Sequence, residues 1–301
     1  MSDLTERIAG LSPERRELLT RLLQKQGVTT ARLPIAPRKS ANGHMPLSFA
    51  QQRLWFLDQL EPGSSFYNIF DALSFDEPTD VPALEQSLNE VVRRHEVLRT
   101  TFAIVDGQPV QMIAPSLRLP LQVIDLSHLS PLERETEASR FSSEEARRPF
   151  DLSSGPLLRA TLLRFETEEN VLLLTMHHIT SDAWSLDVLS RELRVLYAAF
   201  SEGRPTPLPE LPIQYADFAV WQREWLQGEV LESQLSYWKK QLAGAPSALE
   251  LPTDRPRPLV PTYRGATQSR DLPEDVAASL KALSQREGVT LFMTLLAAFN
   301  L

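Results

Sequence analysis

Cysteine is absent from the 301 residues. Disulfide scaffolds, thiolate-ligated zinc or iron–sulfur sites and cysteine nucleophiles are therefore excluded. Glycine is scarce (11) while proline is abundant (23). That imbalance reads as stiff connectors between packed elements, not as a flexible low-complexity chain. No stretch approaches the ~18 apolar residues of a membrane span, and Met1 to Gly10 carries acids without an apolar core, unlike a signal peptide. Positive charge is in deficit, 31 Lys and Arg against 39 Asp and Glu, a net −8. A nucleic-acid partner or an anionic membrane surface is disfavoured by that balance. What is present is ordinary for a folded chain: 42% hydrophobic and 23% charged residues. At ~150 residues per domain, the length suggests about two domains, and the expected setting is soluble and cytoplasmic.

Periodicity organises the chain. Ser12 and Pro13 open a helix whose stripe is Leu18, Leu19, Leu22 and Leu23, with Gly27 as its stop. Val28 to Pro46 reads as linker. From Leu47 the pattern is α+β. Ser48 to Leu60 is a short helix, and Asn68 to Phe75 is a strand. Leu84, Leu88, Val91, Val92 and His95 recur at helical spacing behind a candidate cap, Asp80. Asp106-Gly107 predicts a hairpin between Thr101–Val105 and Val110–Ile113. Ser130 to Arg148 is a charged helix stopped at Pro149. Leu157 to Phe165 and Asn170 to Met176 form a strand pair. Leu189, Leu193, Leu196 and Phe200 mark an amphipathic helix, and Tyr215 to Leu242 a long helix or helix pair.

Two of only five histidines stand side by side where an apolar strand, Val171 to Met176, ends: His177-His178-Ile179-Thr180-Ser181-Asp182. Strand side chains alternate, so the two rings should face opposite sides, one toward a cavity and one into the interior. Asp182 could cap the following helix or orient the imidazole and its loop. The pattern suits acyl transfer without a protein nucleophile. A neutral histidine, of ordinary pKa ~6.5, can position an attacking amine, take its proton or stabilise the charged intermediate. Adjacent strand residues point apart, which speaks against a metal held by His177, His178 and Asp182. His95 reads as a packed helix histidine, and Trp55, Trp221, Trp225 and Trp238 as packing aromatics.

His-His-x-x-x-Asp after a hydrophobic strand resembles the active-site motif of the condensation domains of nonribosomal peptide synthetases, members of the chloramphenicol-acetyltransferase-like acyltransferases. Other family-like motifs stand in the family's order: Leu47-Ser48-Phe49-Ala50-Gln51-Gln52-Arg53-Leu54-Trp55-Phe56-Leu57, Arg94-His95-Glu96-Val97-Leu98-Arg99-Thr100-Thr101-Phe102, Pro149-Phe150-Asp151-Leu152-Ser153-Ser154-Gly155-Pro156-Leu157 and Tyr215-Ala216-Asp217-Phe218-Ala219-Val220-Trp221. The family motif usually has Gly after its aspartate, and Ala183 stands there, with Trp184-Ser185 following.

The resemblance implies an α+β fold of the chloramphenicol-acetyltransferase type, with two similar lobes. It divides the chain into a linker helix and Pro-containing linker (1–45), an N-terminal lobe with the histidine motif (46–212), and bridging helices with the start of a second lobe (213–301). It implies amide-bond formation between an upstream carrier-bound acyl or peptidyl thioester and the amine of a downstream carrier-bound aminoacyl thioester. His178 would be the catalytic histidine and His177 structural. Asp182 would hold the loop through a salt bridge to Arg94 or Arg99, with Trp184 also supporting the site. No metal or directly bound cofactor is implied; the phosphopantetheine arms belong to the partner carrier proteins, and neighbouring synthetase domains are the other partners. The first motif and Leu60-Glu61-Pro62-Gly63-Ser64 look like the subtype joining an L donor to an L acceptor. A non-catalytic carrier-recruitment domain on the same fold and a standalone acyltransferase are the alternatives. The uncharged apolar run Leu291 to Leu301 resembles the opening helix of the second lobe's core, so the chain is expected to be a fragment, inactive alone.

Overall fold

A computed structural model describes residues 35–38, 44–75, 79–165, 170–248, 250–256, 258, 265 and 268–300. The helix expected around Leu18 and most of the linker lie outside the described residues. The chain divides into two compact units, Met1–Ser247 and Ala248–Leu301.

In the first unit, β1 (Met45–Pro46) leads into α1 (Phe49–Leu60), then β2 (Asn68–Phe75) and α2 (Val81–Arg94). A 3-10 turn (Glu96–Arg99) opens the hairpin of β3 (Thr100–Val105) and β4 (Gln108–Ile113). β5 (Leu121–Asp125), α3 (Pro131–Arg147), β6 (Leu158–Arg164), β7 (Asn170–His177) and α4 (Ala183–Ser201) follow, then α5 (Tyr215–Trp225) and α6 (Gly228–Gln241). The second unit holds α7 (Glu274–Arg286) and α8 (Leu291–Phe299).

The local chemistry explains the boundaries. Ser48 caps α1 in a reciprocal box with Gln51, the S-x-x-Q pattern that satisfies two orphan backbone donors. Asp80 accepts the Ala83 N–H at the start of α2. Asp106 and Gly107 both take positive φ (50° and 76°), the conformation that a two-residue hairpin loop requires. The long helical stretch from Tyr215 is broken at Leu226-Gln227 into α5 and α6.

Two sheets result. One runs β1-β4-β3, all antiparallel; the other runs β2-β7-β6-β5, with β5 and β6 parallel and the remaining pairs antiparallel. Strand β5 has no counterpart in the sequence reading. It is five residues long, and its parallel partner lies beyond α3, so no local turn signal announces it.

β7 is the central hydrophobic strand, and its register sorts its side chains. Leu172, Leu174 and Met176 stand opposite Leu162, Ala160 and Leu158 of β6. They pack there against Leu84, Leu88, Val91 and Val92 of α2 and Leu189, Leu193 and Leu196 of α4. Leu173 and Leu163 face the other way, onto Phe70 and, from α3, Ala138 and Phe141. A third cluster, Leu47, Phe102, Phe150, Leu152, Leu157 and Ile179, joins the two sheets beside the end of β7. Within the first unit, α5 is held to the start of α1 by Arg223, which donates to the Leu47 carbonyl at 2.7 Å, and by Gln222, which accepts the Phe49 N–H at 2.9 Å.

Candidate active site

The alternation of β7 continues through its end. His177 follows Leu173 and Thr175 to one face, whereas His178 follows Leu174 and Met176 to the face covered by α2 and α4. His177 is buried at 2% exposure, while His178 is exposed. The expectation that the two rings part company is met.

His178 lines a cavity of about 460 Å³ together with Met176, Asp182, Trp184, Tyr215 and Phe218. Its Nδ1 lies 2.7 Å from the Ser181 carbonyl oxygen. A carbonyl only accepts, so Nδ1 carries the proton, and the neutral ring keeps its lone pair on Nε2. The backbone positions this ring from both sides: the His178 N–H donates to the Tyr67 carbonyl at 2.8 Å, and the Thr180 N–H closes a turn onto the His177 carbonyl at 3.0 Å.

His177 performs a different task. Its Nδ1 accepts the Ile179 N–H at 3.1 Å, which holds the loop behind His178. Its ring packs edge-on against Phe150, with centroids 6.3 Å apart. Burial, aided by the charge that His178 carries when protonated, pushes its pKa down to about 4. The unfolded value is ~6.5. Between these two values the unfolded chain binds a proton that the folded chain refuses, so stability is full above pH ~6.5 and declines as pH falls toward about 4. The expected loss across that window is about 3 kcal/mol. Urea unfolding of the wild type and of His177→Phe at neutral and mildly acidic pH, about 7 and about 4.5, checks it. The variant should lose the part of the acid sensitivity that His177 contributes. An unchanged difference between the two pH values would remove His177 from the account.

Asp182 corrects the salt-bridge expectation. Among the described residues it forms no ion pair. Its carboxylate accepts the Ser185 N–H at 2.8 Å and the Ser185 hydroxyl at 2.6 Å, capping α4. Those two bonds, first the hydroxyl and then the amide, hold its pKa below the ordinary carboxylate value, and a protonated His178 lowers it further. Neither arginine is available to it. Arg94, 3% exposed, donates Nε to Glu192 Oε2 at 3.2 Å and Nη1 to the Pro209 carbonyl at 2.9 Å. Arg99 donates to the Ala114 carbonyl and lies 3.6 Å from Glu96. The physical reason is helical geometry. Glu192 sits ten residues along α4 from Asp182, about 15 Å of helical rise, and α2 delivers Arg94 to that point. Asp182→Ala is therefore expected to cost about 0.5–2 kcal/mol as a lost cap, with Asp182→Asn retaining most of the stability. Thermal melting of both variants checks this; equal losses from the two would point to the charge instead.

Trp184 is also corrected. It lines the cavity but is 78% exposed, so it is not packed in a buried core. His95 is not within a helix but is the C-cap of α2, its Nε2 2.8 Å from Glu192 Oε2. Trp238, 55% exposed, belongs to no buried core, whereas Trp221 and Trp225 stack with centroids 5.0 Å apart.

Three groups were given no site role from the sequence: Tyr215, which lines the cavity, Ser48, bonded to Tyr215, and Glu192, bonded to the cavity-lining His95. Ser48 was legible as the S of S-x-x-Q. Tyr215 stood in a family-like motif and Glu192 in none, but the partners of both were illegible because they lie 167 and 98 residues away. Among the described residues no cluster of three His, Cys, Asp or Glu could hold a metal, and no helix is long and apolar enough to cross a membrane.

The condensation-domain family model matches residues 41–301. The chain is 46% identical over 299 residues, 99% of its length, to the phosphinothricin tripeptide synthetase PhsC of Streptomyces viridochromogenes, and spans 28% of that protein. It is 52% identical over 276 residues, 91% of its length, to one of the linear gramicidin synthase proteins of Brevibacillus parabrevis, and spans 4% of that one. Its fold matches the X-domain in the complex of the X-domain and OxyB from teicoplanin biosynthesis, with a TM-score of 0.73 and 29% identity, covering 87% of this chain and 57% of that one.

Proposed function

The chain belongs to the condensation-domain family, and on that premise we propose that it forms an amide bond between two carrier-bound thioesters. The amine of a downstream aminoacyl thioester attacks the carbonyl carbon of an upstream acyl or peptidyl thioester. The C–N bond forms, the C–S bond breaks, and the amine proton leaves with the thiolate. The observation that carries this reading is the locked tautomer of His178: Nδ1–H is tied to the Ser181 carbonyl, so a basic Nε2 is offered at the cavity. That nitrogen positions the amine, takes its proton and returns it to the sulfur. The substrates arrive on phosphopantetheine arms of peptidyl carrier proteins in the cytoplasm, and the likeness at Leu60 to Ser64 favours L-configured donor and acceptor. No metal or bound cofactor enters the scheme.

The test is mass spectrometry of a loaded carrier pair mixed with the full native polypeptide. Transfer of the upstream acyl group to the downstream carrier supports the reading. Binding of both carriers with no transfer would overturn it in favour of carrier recruitment.

A further inference from the structure

The cavity that presents His178 holds a second polar group for which the histidine chemistry gives no role. Tyr215 opens α5, lines the cavity and is half-buried. Its hydroxyl lies 3.0 Å from Ser48 Oγ. The direction of that bond follows from counting donors and acceptors. Ser48 is completely buried, and its Oγ already accepts the Gln51 N–H at 3.1 Å. Its own proton needs an acceptor, because a buried hydroxyl left unmade costs its full desolvation penalty. Tyr215 Oη is the one acceptor beside it among the described residues. Ser48 therefore donates to Tyr215, and the phenol proton, confined to the ring plane, points away from Ser48. Burial, with a further contribution from the Asp182 charge, holds the phenol above its ordinary pKa, so it stays protonated at neutral pH. The residues lining the cavity thus include a base, His178, and a phenol, Tyr215, whose proton Ser48 does not take up.

We propose that Tyr215 is a catalytic residue whose phenol O–H donates to the thioester oxygen as it becomes an oxyanion. This rests on the amide-forming reading of the same cavity. As the amine nitrogen bonds to the carbonyl carbon, the C=O electron pair moves onto oxygen, where the Tyr215 proton hydrogen-bonds it without being transferred. The amine proton passes to His178 Nε2. The oxyanion then re-forms the C=O bond, the C–S pair leaves on sulfur, and His178 returns the proton to the thiolate. A preorganised donor aimed at developing charge acts on the chemical step and not on ground-state binding.

The experiment uses the full native polypeptide with both carriers loaded. Tyr215→Phe keeps the ring and removes the donor. It should lower single-turnover amide formation by about 10²–10³-fold, leaving carrier affinity near that of the wild type, while the buried Ser48 hydroxyl, left without its acceptor, lowers the melting temperature. Replacement of Tyr215 by 3,5-difluorotyrosine keeps the hydroxyl, and with it the partner of Ser48, should the phenylalanine variant melt early. Because fluorination makes the phenol more acidic than that of tyrosine, the variant's rate should fall with rising pH at a lower pH than the wild-type rate does. A Tyr215→Phe rate within about threefold of wild type, with His178→Ala inactive, would overturn the role of Tyr215 alone. So would a difluorotyrosine pH profile superimposable on the wild type. Absence of product from the wild type with both carriers bound would overturn this role together with the amide-forming reading.

Discussion

Replacing His178 by alanine is expected to lower single-turnover amide formation by about 10²–10⁴-fold, the usual contribution of a positioned acid–base group. The fold should hardly respond. His178 is exposed, and among the described residues its ring makes one hydrogen bond, to the Ser181 carbonyl, which water can replace. His178→Asn sharpens the result. An amide NH₂ can still donate to that carbonyl, but it offers no basic nitrogen, so shape is largely kept and proton acceptance is lost. Rapid-quench mass spectrometry of a loaded carrier pair, with circular dichroism of each variant, makes the measurement. Wild-type rates in both variants would remove His178 from the chemistry. The neighbouring ring should behave oppositely: His177 is buried against Phe150 and Tyr67, so its truncation should lower stability before it touches the chemical step.

Glu192→Ala is expected to lower stability severely, by about 3–5 kcal/mol. Glu192 accepts from both Arg94 and His95. Burial alone would raise its pKa, yet the hydrogen bonds from Arg94 and His95 outweigh that and hold it below the ordinary carboxylate value. Removing it strands a guanidinium that is 3% exposed and cannot shed its proton. The converse change, Arg94→Ala, leaves a carboxyl that can neutralise by taking a proton, so it should cost less. The double variant Arg94→Met with Glu192→Leu should recover much of the loss, since an apolar pair of similar bulk avoids burying charge. Urea unfolding of the three variants tests this order. Additive losses in the double variant would show that the two side chains do not act as a pair.

Much of the fold was legible because it follows from local rules. Ser48 with Gln51 marks the start of α1, Asp80 the start of α2, and Asp106-Gly107 the hairpin of β3 and β4; each signal is a short pattern that satisfies backbone groups or allows a left-handed turn. The strand ending in two histidines was legible for the same reason, since a period of two separates neighbouring rings whatever the strand pairs with. What escaped needed partners far along the chain. Strand β5 exists because β6 lies alongside it in parallel. The partner of Arg94 could not be chosen among the acids from spacing alone. Asp182 was the acid nearest the motif, but Glu192 is the acid that the packing of α4 on α2 brings to Arg94.

The sequence by itself determined the family, the α+β class and the pair of histidines, because motif order and side-chain alternation are properties of the chain before it folds. Only the tertiary structure decided which proton sits where. The carbonyl of Ser181 sets the tautomer of His178. Ser185 turns Asp182 into a helix cap. A serine 167 residues away directs the phenol of Tyr215. Hydrogen bonds depend on a few tenths of an ångström and on direction. Those quantities are defined only when remote segments have packed.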